Sequence, residues 1–122
     1  MQVTFANERL QKLCESKSQI QKKLGVEAAR KLPARLEDLR SVENVADLIV
    51  GKPHPIEPHT TGGKKFRETF KGTDHLFSLA VDGKNRLVFQ SVEDPQPLKA
   101  SKDIDWSKVT RVCIVYVGDY HD

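Results

Sequence analysis

The sequence predicts an α+β fold, with N-terminal helices packed on one face of a mainly antiparallel, twisted sheet of four or five strands. Three observations support this prediction. The first forty residues carry apolar side chains at helical spacing, residues 66–92 alternate with a period of two, and residues 108–117 are apolar on both faces, which is typical of a central strand. A length of 122 residues suits one domain over residues 1–122.

The N-terminal third predicts a short strand followed by helical segments. The strand covers residues 2–5, and the helical segments cover residues 6–15, 17–24, 26–39 and 45–50. In the third segment Leu32, Leu36 and Leu39 form an apolar stripe, as an amphipathic helix requires. Pro33 lacks a backbone N–H, so we expect a kink or break there.

Two polar stretches predict loops. Residues 51–65 contain three prolines, three glycines and two histidines, a composition that disfavours regular structure. Residues 93–105 form the second loop, and we expect Trp106 to hold its end against the core.

A β-hairpin is predicted for residues 75–92, and side-chain parity selects its loop. On the first strand His75, Phe77 and Leu79 would share a face. A two-residue loop would set Leu79 opposite Arg86, whereas a three-residue loop of residues 82–84 pairs Phe77 with Phe89 and Leu79 with Leu87. The second arrangement gathers the large apolar side chains on one face, so we favour it.

The preceding residues 66–71 also predict a strand, because apolar and polar side chains alternate. If Phe66 and Phe70 join the core, Arg67 and Lys71 join Arg86 on the open face of the sheet. The expected result is a basic sheet face.

The charge distribution is compatible with RNA binding by one face. The net charge is +3, but residues 1–40 carry nine Lys/Arg against five Asp/Glu, and residues 91–122 carry four against six. A basic body with an acidic end can present one cationic surface to phosphate groups.

Several function classes lack their motifs. The sequence has no Walker loop, dinucleotide fingerprint, nucleophile elbow or zinc-ligand spacing. His54 and His59 have no partners at metal-ligand spacing, so we expect no metal and no cofactor. Cys14 and Cys113 lie far apart, and no apolar run suits a membrane span or signal peptide, which favours a cytoplasmic protein without membrane contact.

The segment Asp119-Tyr120-His121 combines a carboxylate, a phenol and an imidazole after the last strand. RNA cleavage needs a base for the 2′-hydroxyl, an acid for the leaving oxygen and cations for the phosphate. Tyr120 or His121 could transfer protons, while Arg67, Lys71 and Arg86 could stabilise charge. Alternatively, Tyr120 stacks on a base, or the segment is a polar tail.

In these features the chain resembles the HigB-like (plasmid maintenance killer) branch of the RelE/ParE toxin superfamily, from bacterial type II toxin–antitoxin systems. The resemblance rests on the order and spacing of short motifs: Lys71-Gly72, the segments 77–81 and 85–89, Asp105-Trp106-Ser107-Lys108-Val109-Thr110, and Asp119-Tyr120-His121.

The resemblance implies a metal-independent endoribonuclease that cleaves mRNA on the ribosome. It also implies a cognate antitoxin with a helix-turn-helix domain, through which the pair contacts operator DNA. The residues expected to act in catalysis are Arg67, Arg86, Asp119, Tyr120 and His121. Those expected to bind RNA are His54, Lys64, Lys65, Lys71 and Lys84. Two alternatives stay open: a toxin of the same fold that binds DNA gyrase, and a non-toxic regulatory binding protein.

Overall fold

A computed structural model describes residues 1–57 and 60–121 of the chain, so His59 lies outside the described residues. In these residues nine helices and strands follow one another, with short 3₁₀ turns at Val45–Asp47 and Trp106–Lys108. In chain order they are β1 (Gln2–Phe5), α1 (Glu8–Glu15), α2 (Lys17–Leu24), α3 (Val26–Ser41), β2 (His54–Ile56), α4 (Lys64–Thr69), β3 (Leu76–Ala80), β4 (Arg86–Ser91) and β5 (Arg111–Gly118).

The α+β class is confirmed, but the sheet is mixed. Its strand order is β1-β5-β4-β3-β2. β1 pairs with β5 in parallel, while the other neighbouring strands are antiparallel. Parallel neighbours need a long connection, and the chain between β1 and β5 supplies it by forming the helices and the rest of the sheet.

The three N-terminal helices form where the sequence predicts them. The Asn7 side chain accepts a hydrogen bond from Leu10 N at 2.8 Å and begins α1. The Ser16 hydroxyl accepts one from Gln19 N at 3.3 Å and begins α2. Side-chain caps of this kind satisfy N–H groups that have no partner inside the helix. α3 continues through Pro33 instead of ending there.

The main core lies between α1–α3 and one face of the sheet, which we call the helix face. The predicted hairpin pairing is confirmed: Phe77 faces Phe89 and Leu79 faces Leu87, and all four side chains are buried in this core. The Phe77 and Phe89 rings stack at 5.3 Å between centroids. Trp106 packs against Phe77 at 4.9 Å, as expected for a residue that holds the preceding loop.

The prediction of a strand at residues 66–71 is wrong, because Lys64–Thr69 forms α4. Phe66 and Phe70 are four residues apart, a spacing that places them on one face of a helix as well as of a strand. Arg67 and Glu68 lie between them and favour helix, and within α4 no β-branched residue precedes Thr69. As a result Phe66 and Phe70 are buried while Arg67 and Lys71 are exposed on the solvent side.

The opposite face of the sheet is covered, so the expectation of an open, basic sheet face is wrong. α4 and the C-terminal residues pack on it and enclose a second apolar cluster of Ile56, Phe66, Phe70, Leu76, Val88 and Tyr120. We call this face the α4 face. The sheet therefore has apolar side chains buried on both sides, and the predicted basic sheet face does not exist as an uncovered surface.

Two further expectations are corrected near β3. The predicted loop 51–65 contains β2, which pairs with β3 through His54–Ser78 and Ile56–Leu76. His75 does not share the strand pattern, because its φ of +63° turns the chain just before β3 begins.

None of the helices in residues 1–57 and 60–121 has the length and apolar character needed to cross a membrane.

Replacing Phe77 by Ala is expected to lower the free energy of unfolding by about 3–5 kcal/mol, because the ring is buried against Phe89 and Trp106. Leu98→Ala is the matched control, since that side chain is 54% exposed. Urea denaturation measures both variants. An unchanged midpoint for Phe77→Ala would contradict the assigned packing.

Candidate functional site

Arg86 begins β4 and lies beside the C-terminal segment. Its Cα pairs with Ala80 on one side and with Gly118 on the other. Because side chains alternate along a strand, Arg86 shares the α4 face with Val88. The strand phase expected for Arg86 is thus the observed one, and the register places its backbone beside the end of the strand that leads into residues 119–121.

The guanidinium of Arg86 is held against its own hairpin. Nη1 donates hydrogen bonds to the carbonyl oxygens of Asp82 and Asn85, both at 3.1 Å. Arginine has five N–H donors in a planar fork. No described residue accepts a bond from its Nε or Nη2. Arg86 is therefore oriented by the turn and keeps donors for an anionic ligand.

Asp82 organises that turn. Its Oδ1 accepts hydrogen bonds from the N–H groups of Lys84 at 3.0 Å and Asn85 at 2.7 Å. The side-chain amide of Asn85 donates to Asp82 Oδ2 at 3.0 Å and to the carbonyl of Leu24 at 3.3 Å. Partial burial acts to raise the pKa of Asp82, but the bonds from Asn85 and Lys84 outweigh it and lower the pKa.

The C-terminal segment is fixed by main-chain bonds. Gly63 N donates to the Tyr120 carbonyl at 2.6 Å, and the Tyr116 hydroxyl donates to the Asp119 carbonyl at 3.1 Å. Asp119 Oδ1 accepts the N–H of His121 at 3.0 Å. These bonds join the segment to the start of α4 and to β5.

The three terminal side chains differ in access. Tyr120 is 4% exposed, and its ring lies 5.2 Å from that of Phe66, so it has little surface to offer a base. His121 is exposed, with its ring 4.6 Å from the Tyr120 ring. Asp119 is half-buried. His121 is thus the member of this segment best placed for proton exchange with a ligand.

The predicted cationic residues on and after α4 line two different cavities. Lys64, Arg67 and Lys71 line one of about 340 Å³ at the end of α4. Lys65 and Asp119 line another of about 290 Å³ between α4 and β5. α4 packs on the face of the sheet that Arg86 shares with Val88, but Arg86 lines neither of these two cavities.

The other two predicted RNA-binding residues lie apart, in the hairpin turn and on the edge strand β2. Lys84 is exposed in the hairpin turn. His54 is exposed on the edge strand β2, where its Nδ1 lies 2.7 Å from the Lys52 carbonyl oxygen.

Sequence reasoning missed a second basic group beside Arg86. Arg30, Lys31, Arg35 and Lys52 line a groove of about 530 Å³ together with Arg86. The sequence places Lys31 and Arg35 four residues apart, so they share one face of α3. That spacing was an available signal, but how α3 faces the hairpin depends on tertiary packing.

In the described residues one group could offer metal ligands: Glu57, His75 and Asp103, whose ligand atoms lie within 4.8 Å of one another. Glu57 and Asp103 are exposed, and exposed acidic groups of this kind are common without an ion. His75 of this group directly precedes β3, whereas Arg86 pairs with Ala80 at the other end of that strand.

Comparison of the chain with protein-family models, with curated proteins and with solved structures found no match. The resemblance carried by the sequence motifs therefore remains a hypothesis about this chain.

Gly62→Ala is expected to destabilise the protein by about 2 kcal/mol more than Gly72→Ala, because only the first creates close contacts. A Cβ at Gly62 would lie 2.5 Å from the Tyr120 carbonyl oxygen and 2.9 Å from Phe66 Cδ2, whereas one at Gly72 meets nothing within 4 Å.

The two glycines are matched in backbone conformation, with φ of +85° and +82°. Alanine therefore has a similar cost of about 1–2 kcal/mol in the left-handed region at either position. Thermal unfolding of both variants therefore measures the extra cost of crowding the Tyr120 carbonyl oxygen at Gly62. Equal losses of stability would contradict the close approach of Gly62 to the C-terminal segment.

The difference in stability between the wild-type protein and Asp82→Asn is expected to depend on pH. Because folding lowers the pKa of Asp82, its ionised form stabilises the folded state above the unfolded pKa of about 3.9. This stabilisation is lost as the pH falls through the lower folded pKa. Urea denaturation at a series of pH values should show the stability difference shrinking in acid, and a constant difference would refute the assignment.

Proposed function

We propose that the protein is the toxin of a bacterial type II toxin–antitoxin system, and that it inhibits growth by cleaving mRNA on the ribosome. The observation that supports this proposal best is the pairing of Arg86 with Gly118. It places the backbone of Arg86 beside the strand end that leads into Asp119 and the exposed His121, and within the described residues the Arg86 guanidinium keeps donors without an acceptor. Both chemical groups are of the kind that RNA cleavage by internal attack requires.

In the proposed reaction His121 accepts the proton of a ribose 2′-hydroxyl. The 2′-oxygen attacks the adjacent phosphorus, a new P–O2′ bond forms and the P–O5′ bond breaks. The leaving 5′-oxygen takes a proton from water, so the products are a 2′,3′-cyclic phosphate and a 5′-hydroxyl. Arg86 donates hydrogen bonds to the phosphate oxygens as negative charge develops, a stabilisation that is strong because guanidinium groups bind phosphate in bidentate fashion.

The remaining predicted residues act around this centre. Asp119 orients the segment by accepting the N–H of His121. Tyr120 holds the segment in the second apolar cluster through its buried ring. Lys64, Lys65, Arg67 and Lys71 provide cations on α4 for neighbouring phosphates of the strand.

The proposed partners follow from the same function. A cognate antitoxin with a helix-turn-helix domain neutralises the toxin and carries the pair to operator DNA. The mRNA is engaged on the ribosome in the cytoplasm.

Arg86→Ala and His121→Ala are each expected to abolish growth inhibition, because loss of one group that acts in the transition state lowers a rate by about 10²–10³-fold. The measurement is induction in bacterial cells with mapping of mRNA 5′ ends. The wild-type protein should generate ribosome-dependent in-frame cleavage sites, and both variants should lose them.

Arg111→Ala is the matched control for Arg86→Ala. Arg111 also lies in the sheet with a partner, Glu93 at 3.3 Å, but at the opposite end of β5. It should retain cleavage. Intact mRNA with gyrase-dependent DNA damage, or healthy growth on induction of the wild-type protein, would refute the proposed function.

Stability measurements separate chemistry from folding in these variants. His121→Ala should melt like the wild type because the side chain is exposed. Arg86→Ala loses two hydrogen bonds to carbonyl oxygens, so a decrease of about 1–3 kcal/mol is expected. Unfolding of Arg86→Ala under the assay conditions would make Arg86 structural, and His121→Ala would then decide the proposal.

A further inference from the structure

The groove beside Arg86 crosses from the hairpin end of the sheet to the helical layer. Its lining includes five cations, Arg30, Lys31, Arg35, Lys52 and Arg86, and one carboxylate, Asp82. We call it the α3–hairpin groove. Gly51 lies in it, and its carbonyl oxygen accepts a hydrogen bond from Ala80 N at 2.6 Å. This bond fixes the segment that carries Lys52 against the end of β3.

The cations of the groove are only partly neutralised. Glu27 pairs with Arg30 at 3.0 Å and with Lys31 at 3.4 Å, so one carboxylate serves two cations. Arg35 pairs with Asp38 at 2.9 Å. Lys52 makes no ion pair within residues 1–57 and 60–121. The groove consequently keeps an excess of positive charge that an anionic ligand can neutralise.

We propose that the α3–hairpin groove binds the phosphate backbone of the single-stranded RNA that flanks the cut. This inference rests on the proposed function and extends it, because Arg86 belongs to both sites. A strand whose scissile phosphate lies at Arg86 continues into the groove, where Lys52, Lys31 and Arg30 contact the next phosphates.

The chemistry of the groove favours an RNA strand over an acidic peptide. Guanidinium groups bind phosphate and carboxylate alike in a planar fork, and three of the five cations are arginines, so the uncharged part of the lining has to distinguish the two ligands. The remaining lining is aliphatic, including Val50, which is 46% exposed. A wall of this kind can contact a ribose or a base while the cations hold the backbone.

The test measures binding separately from cleavage. The probe is a short, fluorescent single-stranded RNA in which every 2′-hydroxyl is methylated, so that internal attack cannot cut it. Fluorescence anisotropy of the full-length protein is recorded over a range of salt concentrations. Lys52→Glu is expected to weaken binding about tenfold at low salt and to reduce the slope of log K against log salt by about 0.7 or more.

Glu27→Gln is expected to change the affinity in the opposite direction from Lys52→Glu. It removes the carboxylate that neutralises Arg30 and Lys31, so the affinity for the probe should increase about two- to threefold. A misfolded variant would lose affinity for the probe. An increase in affinity therefore cannot be explained by misfolding of Glu27→Gln.

The control uses the exposed ion pair of Glu8 and Lys12 on α1, 3.1 Å apart, which is absent from the groove lining. Lys12→Glu and Glu8→Gln should leave binding unchanged. Equal weakening by Lys12→Glu and Lys52→Glu would overturn the inference in favour of diffuse charge attraction. Displacement of the probe by an oligoglutamate of equal charge, at equal concentration, would overturn it in favour of an acidic peptide.

The outcomes also separate this inference from the proposed function. Loss of probe binding in Lys52→Glu, with no mRNA cleavage by the wild-type protein, would support the groove and refute the nuclease. Cleavage in cells combined with unchanged probe binding in Lys52→Glu would support the nuclease and refute the groove.

Discussion

The pairing of β3 with β4 is the interaction on which the rest of the structure depends. Phe77 and Phe89 face the helices, while Leu76 and Val88 face α4. Each strand of the hairpin therefore supplies both apolar clusters, and a one-residue shift in register would move every one of these side chains to the wrong side. The three-residue turn fixes the register, and Asp82 fixes the turn by accepting hydrogen bonds from the N–H groups of Lys84 and Asn85.

The same hairpin sets the position of the functional groups. The turn that fixes the register also holds the Arg86 guanidinium, and the antiparallel pairing of β4 with β5 places Gly118 beside the backbone of Arg86. The second apolar cluster then fixes the segment that carries His121, since Tyr120 is buried against Phe66. At this end of β4 and β5, the hydrogen bonds that order the fold also orient the residues proposed to act on RNA.

Much of the helix face could be predicted because its signal is local. The spacing of Leu32, Leu36 and Leu39 defines one side of a helix, and parity alone chooses between two loop lengths in the hairpin. α4 could not be assigned in this way, because Phe66 and Phe70 share a face in a helix and in a strand alike. Arg67 and Glu68 favour helix, but the alternation of charged and apolar side chains favoured a strand.

By itself, the sequence determined the α+β class, the register of the central hairpin and the side of the sheet on which Arg86 lies. Tertiary structure alone decided that α4 covers that side, that Tyr120 is buried while His121 is exposed, and that cations of α3 meet Lys52 across a groove. The physical reason is the distance along the chain over which each kind of information acts. Periodicity within one element records which of its faces is apolar, whereas the partner that covers a face is chosen by packing among segments far apart in the chain.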